Sequence, residues 1–228
     1  YGKLNDSYAD ERTQAPLTAL SICLIGQQIL TYAIESRPPN DVILTNTDAI
    51  WTKTPISSTR LEKLSKITKM TWEQTHYDKV NIRDSNSVLC MQNNKVIKRK
   101  GAFLKRCRTH NTNASIIQES AIQYLLDNVP VQESIRQGEP LDYMFFSRVQ
   151  KGNCFLRDGK SIPDDKIRYY MTVNGDVLER KTPKQKAKLC KDSLITDCMN
   201  LTEFDESQIN WAWYETQAYK LIKSINKE

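Results

Sequence analysis

The segment DVILTNTDAIWTK at residues 41–53 constrains the fold of this chain more than any other part of the sequence. The runs Val42–Thr45 and Ile50–Thr52 are rich in β-branched and aromatic residues, which favour strands. Between them stand Asn46, Thr47 and Asp48, whose short polar side chains favour turns. The pattern predicts a β-hairpin that carries Asp48 at its tip.

Helical patterns lie on both sides of this hairpin. Residues 15–35 are apolar on nearly every side of a helix and are soon followed by Pro38 and Pro39, so we expect a buried helix that ends before the prolines. Residues 57–75 repeat apolar side chains at every third position, which predicts an amphipathic helix.

Strand patterns resume after the second helix. They lie around residues 79–82, 87–91 and 95–98, with turn-forming residues at 84–86 and 93–94 between them. This spacing predicts a small antiparallel meander. Strands followed by a helix and further strands indicate the α+β class.

A polar stretch at residues 109–113 predicts a boundary, so we expect two parts, residues 1–108 and 109–228. The patterns in the second part predict helices and short strands in mixed order. The predicted elements are helices at 114–128, before Gly138 and at 206–225, strands at 143–149 and 168–173, and a hairpin turn at Asn174-Gly175.

Composition is that of a packed globular protein, with 39% apolar and 26% charged residues in 228. Six scattered cysteines form no metal-ligand spacing, which indicates reduced thiols and a cytoplasmic location, the host cytoplasm if the chain is viral.

No uninterrupted apolar run approaches about 18 residues, so we expect no membrane partner. The chain begins at Tyr1 without a signal-peptide pattern, from which we expect a fragment or a processed product.

Positive charge is concentrated in two runs, and the net charge is +6. Residues 95–108 contain seven basic residues and no acidic one, and residues 180–191 form the second run. Such runs indicate either a solvated surface or a track for phosphate groups. The presence of two favours a polyanionic partner.

Several segments resemble motifs of one enzyme family, in that family's order. YGKL at 1–4 resembles the end of an N-S-x-Y-G motif, and LSICLIGQQIL at 20–30 resembles a helix with a T-x-x-G-Q pattern. TNTDAIW resembles the D-T-D-S hairpin, and IKRKGAFLKR at 97–106 resembles the K-K-x-Y segment, with Phe103 nearest to its aromatic. The chain thus resembles the C-terminal part of a bacteriophage-type family B DNA polymerase.

The resemblance implies a function, and it implies that part of the catalytic site lies outside this chain. In such polymerases the second aspartate of D-T-D-S is a catalytic metal ligand, and it corresponds to Asp48, while the first corresponds to Asn46. The implied reaction joins a dNTP to a primer 3′ hydroxyl on template DNA at a site with two Mg²⁺ ions. The second catalytic aspartate, the fingers and the exonuclease would belong to an N-terminal remainder, so we expect this chain to be inactive alone.

The resemblance also implies the surfaces that hold DNA. Residues 1–108 correspond to the end of the palm, an antiparallel sheet backed by helices, and residues 109–228 to the thumb. Tyr1, Lys98 and Lys100 correspond to DNA contacts of the family, and Lys53 and Arg99 complete the predicted DNA-binding set. Such contacts position a duplex without reading its sequence.

Other interpretations stay open at this point. Asp48 alone is compatible with ordinary turn chemistry. A non-catalytic DNA-binding module or a polymerase accessory subunit would carry the same basic runs. A nuclease would need a second nearby carboxylate, and the sequence offers no such pair next to the hairpin. The polymerase interpretation requires Asp48 to be exposed.

Overall fold

The computed structural model describes residues 15–35, 37–46, 48–104, 110 and 112–225. The chain is of the α+β class, as predicted, with helices and several antiparallel sheets. It divides into two compact units, residues 1–78 and residues 79–228. The boundary predicted near residue 108 separates the part that resembles a palm from the part that resembles a thumb. It stays a prediction.

The N-terminal unit contains the predicted hairpin between two helices. Its elements are α1 (Pro16–Glu35), β1 (Val42–Thr45), β2 (Ile50–Thr52) and α2 (Ser58–Thr68). β1 and β2 pair in antiparallel register, with Thr45 opposite Ile50. The two strands form a sheet of their own within the described residues.

α1 confirms the predicted helix, but the prediction that it is buried was wrong. Ala19 and Ala33 are its buried residues, whereas Leu17 is 79% exposed and Leu20 is 55% exposed. The all-round apolar pattern specifies a helix without specifying what covers it.

Among the described residues, α1 is the one helix long and apolar enough to cross a membrane. Core helices of soluble proteins and signal sequences share this property. The expected absence of a membrane partner therefore stays a prediction, as does the cytoplasmic location.

α2 ends earlier than predicted. Lys69 takes a left-handed conformation with φ of 58°, which stops the helix seven residues before the expected end. The Thr68 hydroxyl then accepts hydrogen bonds from the Met70 amide at 3.3 Å and from Trp72 Nε1 at 3.2 Å. These bonds stabilise a turn where the apolar spacing alone predicts further helix.

The C-terminal unit begins with the predicted meander. It consists of β3 (Lys79–Asp84), β4 (Ser87–Gln92) and β5 (Lys95–Arg99), in that order in the sheet. Asn93 and Asn94 both have positive φ, which suits a two-residue turn between twisted strands. This confirms the local strand and turn predictions.

In the described part of this unit, the remaining elements are two further antiparallel sheets and three α-helices. The elements are α3 (Ser115–Asp127), α4 (Val131–Ser134), β6 (Phe145–Arg148), β7 (Cys154–Arg157), β8 (Lys160–Ile162), β9 (Lys166–Thr172), β10 (Leu178–Lys181), β11 (Lys186–Lys188), β12 (Leu194–Asp197) and α5 (Trp211–Lys223). One sheet has the strand order β12-β9-β6 and the other has the order β11-β10-β7-β8.

The core of the C-terminal unit is built on buried tyrosines. The Tyr214 hydroxyl donates to the Tyr143 carbonyl at 2.7 Å and accepts from the Met171 amide at 3.0 Å. The Tyr143 hydroxyl in turn donates to the Ile135 carbonyl at 2.9 Å. Leu89 of β4 belongs to the same cluster, so the meander packs with the second half of the chain.

The predicted turn at Asn174-Gly175 does not join paired strands. β9 pairs with β6 and β12, and the chain after Gly175 enters β10 in the other sheet. A side chain at position 175 would collide with Thr172 and would lie 2.5 Å from the Ile195 carbonyl oxygen. Close packing, rather than a hairpin, explains the glycine.

α5 begins later than predicted, at Trp211 instead of residue 206. The Asn210 side chain caps the helix by accepting a hydrogen bond from the Trp213 amide at 3.1 Å. Residues 206–208 form a separate 3-10 turn.

Candidate functional site

Asp48 lies exposed in the turn of the β1–β2 hairpin. The Asn46 amide donates to the Ala49 carbonyl at 2.9 Å and closes the turn next to the Thr45–Ile50 pair. The strands fix the backbone, and the turn presents the carboxylate to solvent. This is the exposure that the polymerase interpretation requires.

A polar cluster ties the two ends of the hairpin together at its base. The buried Asp41 forms an ion pair with Arg37. Its Oδ1 accepts hydrogen bonds from the Thr54 amide at 2.9 Å and from the Thr54 hydroxyl at 2.7 Å. Arg37 Nη2 also donates to the Thr54 carbonyl at 2.9 Å. We call Arg37, Asp41 and Thr54 the base clamp.

The charge of Asp41 is held by its partners. Hydrogen bonding from Arg37, followed by that from Thr54, lowers the pKa of Asp41 below its ordinary value of 3.8, although burial acts in the opposite direction. Asp41 is therefore ionised at neutral pH and keeps the clamp closed.

The base clamp was not predicted from the sequence. The feature that could have indicated it is the position of Asp41 immediately before the first strand pattern and of Thr54 shortly after the second. Polar residues that face each other across the open end of a hairpin can bond in this way. Arg37 stands four residues before Asp41, with Pro38 and Pro39 between them, so a helical pattern does not predict the pair.

Lys53 lies at the opposite end of the hairpin from Asp48. Its amide donates to the Asp41 carbonyl at 2.8 Å, and its side chain is exposed. The three residues of β2, about 10 Å of extended chain, separate it from the turn. The hairpin therefore does not bring these two predicted site residues together.

The Asp48 carboxylate has the donor atoms that suit magnesium. A solvent-facing carboxylate supplies the hard oxygen ligands that Mg²⁺ prefers, and Mg²⁺ is commonly held by one or two carboxylates together with phosphates and water. In the described part of the chain, no group of three or more His, Cys, Asp and Glu side chains is placed to hold a metal ion. A single exposed carboxylate such as Asp48 can supply one ligand to a metal ion.

The predicted DNA contacts Lys98, Arg99 and Lys100 belong to the C-terminal unit. Arg99 Nη1 donates to Glu119 of α3 at 2.6 Å, so this ion pair holds β5 against the helix. Lys98 is exposed, and Lys100 is half-buried, with its amide bonded to the Val88 carbonyl at 2.9 Å. The role of Arg99 as a DNA contact stays a prediction.

The residues after Lys100 have a structural role in this unit. Gly101 has a φ of 61°, and a side chain there would collide with the Asn86 carbonyl and with Ser87. The Ala102 amide donates to the Ser87 hydroxyl at 3.1 Å, and Phe103 is fully buried. The glycine and the aromatic of this segment are therefore explained by packing.

Several sequence predictions lie outside the described residues. They include Tyr1 with its YGKL motif and residues 105–108 of the first basic run.

The second basic run forms the β10–β11 hairpin. Lys181 lies directly opposite Lys186, and Glu179 lies opposite Lys188. The three lysines are exposed, whereas Arg180 turns inward and donates to the Ser147 hydroxyl at 2.9 Å. Like charges directly opposite each other destabilise a strand pair, so an anionic partner would stabilise this edge.

Comparisons of the chain with protein-family models, with curated proteins and with solved structures give no match.

Proposed function

We propose that this chain is the palm hairpin and thumb of a template-directed DNA polymerase of the bacteriophage family B type. The observation that carries the proposal is the exposed Asp48 carboxylate on a hairpin whose base is clamped by buried polar contacts. The order of the D-T-D-S-like and K-K-x-Y-like segments supports it. In this proposal residues 1–108 end the palm and residues 109–228 form the thumb.

Asp48 would be one of the carboxylates that hold the magnesium ions. When bound, Mg²⁺ supplies charge stabilisation for the attacking and leaving oxygens of nucleotidyl transfer from a dNTP to the primer. The hairpin contributes positioning, because the base clamp fixes the strands that carry the turn. The second carboxylate is proposed to belong to the N-terminal remainder of the polymerase.

The lysines of the C-terminal unit would hold primer–template DNA through its phosphates. Lys98 projects from β5, and Lys181, Lys186 and Lys188 are exposed on the edge hairpin. Contacts of this kind bind DNA of any sequence and weaken as the salt concentration rises. A polymerase that copies any template needs both the charge and the lack of sequence preference.

The decisive experiment is primer extension by the polymerase that contains this chain, with Asp48→Asn as the variant. Loss of a direct metal ligand is expected to reduce extension at least about 100-fold, since even outer partners of a metal site are worth 10- to 100-fold. Binding of primer–template DNA should change little, because the lysines are intact.

Asp84→Asn is the matched control. Asp84 lies next to the β3–β4 turn, where its Oδ1 accepts from the Asn86 amide at 2.9 Å, a bond that asparagine can keep. This variant should extend primers normally. Unchanged extension by Asp48→Asn would reject the catalytic assignment, and extension by the isolated pure chain would reject the shared site.

A DNA-binding module without catalysis is the second candidate, favoured by Lys181 and Lys186, which lie directly opposite each other on the β10–β11 edge. It predicts salt-dependent DNA binding by the isolated chain and no effect of Asp48→Asn on any reaction. A triple exchange of Lys181, Lys186 and Lys188 to Gln should lower the slope of log K against log salt by up to about 2.7.

A further inference from the structure

The N-terminal unit contains a cavity of about 220 Å³ between α1 and α2. Tyr32 and Glu35 line it from the end of α1, and Arg60, Lys63 and Leu64 line it from α2. The proposed polymerase function uses none of these side chains. Two cations and one carboxylate around a small cavity indicate a binding site with net positive charge.

Arg60 is the residue of this cavity that indicates a bound ligand. Its Nε is shielded from solvent and has no hydrogen-bond partner. Arg168 and Arg180 also have a buried Nε without a hydrogen bond, but each uses another guanidinium nitrogen in a hydrogen bond. Arg157 forms ion pairs with Asp176 and Asp197. Among the described residues, the Arg60 guanidinium has neither.

Glu35, the acidic residue of the cavity, does not provide a partner for the Arg60 guanidinium. In the described part of the chain, Glu35 forms no ion pair with Arg60 or with Lys63, although all three line the same space. Leaving a charged donor buried without a partner is costly, and an anion in the cavity would remove that cost.

We propose that this cavity binds a phosphate group. The Arg60 guanidinium offers two parallel donors that match two phosphate oxygens. Lys63 follows Arg60 by three residues on α2, so it faces the same side of the helix and adds a third donor with a point charge. A phosphate monoester carries about −1.5 to −2 charges at pH 7, which matches the two cations, whereas a carboxylate carries one.

The cavity has room for more than the phosphate. A volume of about 220 Å³ corresponds to roughly seven water molecules in the liquid. Glu35 repels the phosphate oxygens but accepts a hydrogen bond from a hydroxyl beside them, and the Leu64 side chain is apolar. The phosphate group is therefore either a free ion or the head of a small hydroxyl-bearing monoester.

Titration calorimetry on the 228-residue chain with inorganic phosphate and with glycerol 2-phosphate tests the proposal. Saturable binding is expected for at least one of them, and tighter binding of glycerol 2-phosphate assigns the site to monoesters. Arg60→Gln should weaken binding about ten-fold or more, as expected for loss of charged hydrogen bonds. Arg60→Lys should also weaken it, because the charge remains but the paired donors are lost.

Lys63→Gln and Lys66→Gln form the matched pair of controls. Lys63 lines the cavity and Lys66, on the same helix, does not. Both lysines are exposed, so neither exchange should disturb folding, and only Lys63→Gln should weaken binding. Binding of neither probe, or equal loss in both lysine variants, would overturn the proposal. Asp48→Asn should bind the probes normally, so the result does not depend on the polymerase assignment.

Discussion

The two units of the chain are stabilised in different ways. In the N-terminal unit, the buried residues among those described are Ala19, Ala33, Asp41 and Leu64. The C-terminal unit buries three tyrosines almost completely, together with a continuous cluster from all of its sheets. Close packing holds the second unit, whereas the first depends on the charged hydrogen bonds of its base clamp.

This difference bears on function, because the N-terminal unit is proposed to carry the metal ligand Asp48 and the C-terminal unit is proposed to hold DNA. A well-packed core suits a surface that grips DNA at several points. A hairpin held by a few directed bonds keeps its turn in place only while each of those bonds is formed. The N-terminal unit should therefore be the first to respond to single polar exchanges.

The largest expected effect is alkaline destabilisation of the C-terminal unit. Burial, with a smaller contribution from Cys190, raises the pKa of Tyr169 to about 12 from 10.0. A raised pKa gives stability that is complete below pH 10 and is lost as the pH rises through 12, about 3 kcal/mol in all. Thermal unfolding at several pH values checks this. Burial also raises the pKa of Tyr143, Tyr170 and Tyr214, so Tyr169→Phe should remove part of the pH dependence. An unchanged dependence would contradict the assignment.

Tyr214→Phe removes one hydroxyl from the packed core and should cost about 1–3 kcal/mol. The exchange leaves the Met171 amide and the Tyr143 carbonyl without their buried partner. Chemical denaturation measures the change. Tyr219→Phe on the same helix is the control, because its hydroxyl bonds to Gln132 at an exposed position and should matter little. Equal effects of the two variants would show that the buried hydrogen bonds are not special.

Asp41→Asn should loosen the hairpin while the C-terminal unit stays folded. The amide cannot replace the charge that Arg37 pairs with, so hydrogen exchange of residues 42–52 should become faster. Asp48→Asn is the control for a carboxylate on the same hairpin and should leave exchange unchanged. Equal protection in the two variants would show that the clamp does not hold the strands.

The same clamp predicts an acid response in wild-type protein. The pKa of Asp41 is lowered, so its stabilisation is present above the ordinary value of 3.8 and is lost as the pH falls through the folded-state pKa. Hairpin exchange should therefore accelerate in acid, and it should do so less in Asp41→Asn. The two units would then fail at opposite ends of the pH scale.

The smallest effect is expected for exposed apolar residues of α1. Leu20→Gln and Leu24→Gln should change the free energy of unfolding by less than about 0.5 kcal/mol, because both leucines already face solvent. Leu64→Ala, at a buried position of α2, should cost about 2–5 kcal/mol in comparison. A large loss from the α1 exchanges would show that this helix is covered in solution.

Local patterns predicted local structure well. The β1–β2 hairpin, the meander and α3 follow from strand propensity, turn chemistry and helical spacing within short segments. The exposed position of Asp48 follows from the same turn chemistry. These elements are determined by residues close in sequence.

The failures concern features that depend on distant residues. The exposure of α1 depends on what packs against it. The end of α2 is a local exception, because Lys69 adopts a left-handed conformation that glycine or asparagine usually marks. Gly175 is required by contact with Ile195, twenty residues further on. The order of strands in the C-terminal sheets is likewise a matter of long-range pairing.

The lysines of β11 have a consequence for the state of the protein in concentrated solution. β11 is an outer strand of its sheet, with backbone groups available for pairing with another strand. Lys186 and Lys188 repel a second copy that approaches along this edge, so the strand is protected against extension into an aggregate. The apolar surface of α1 has no such protection, and association of copies should proceed through the helix rather than through the sheet.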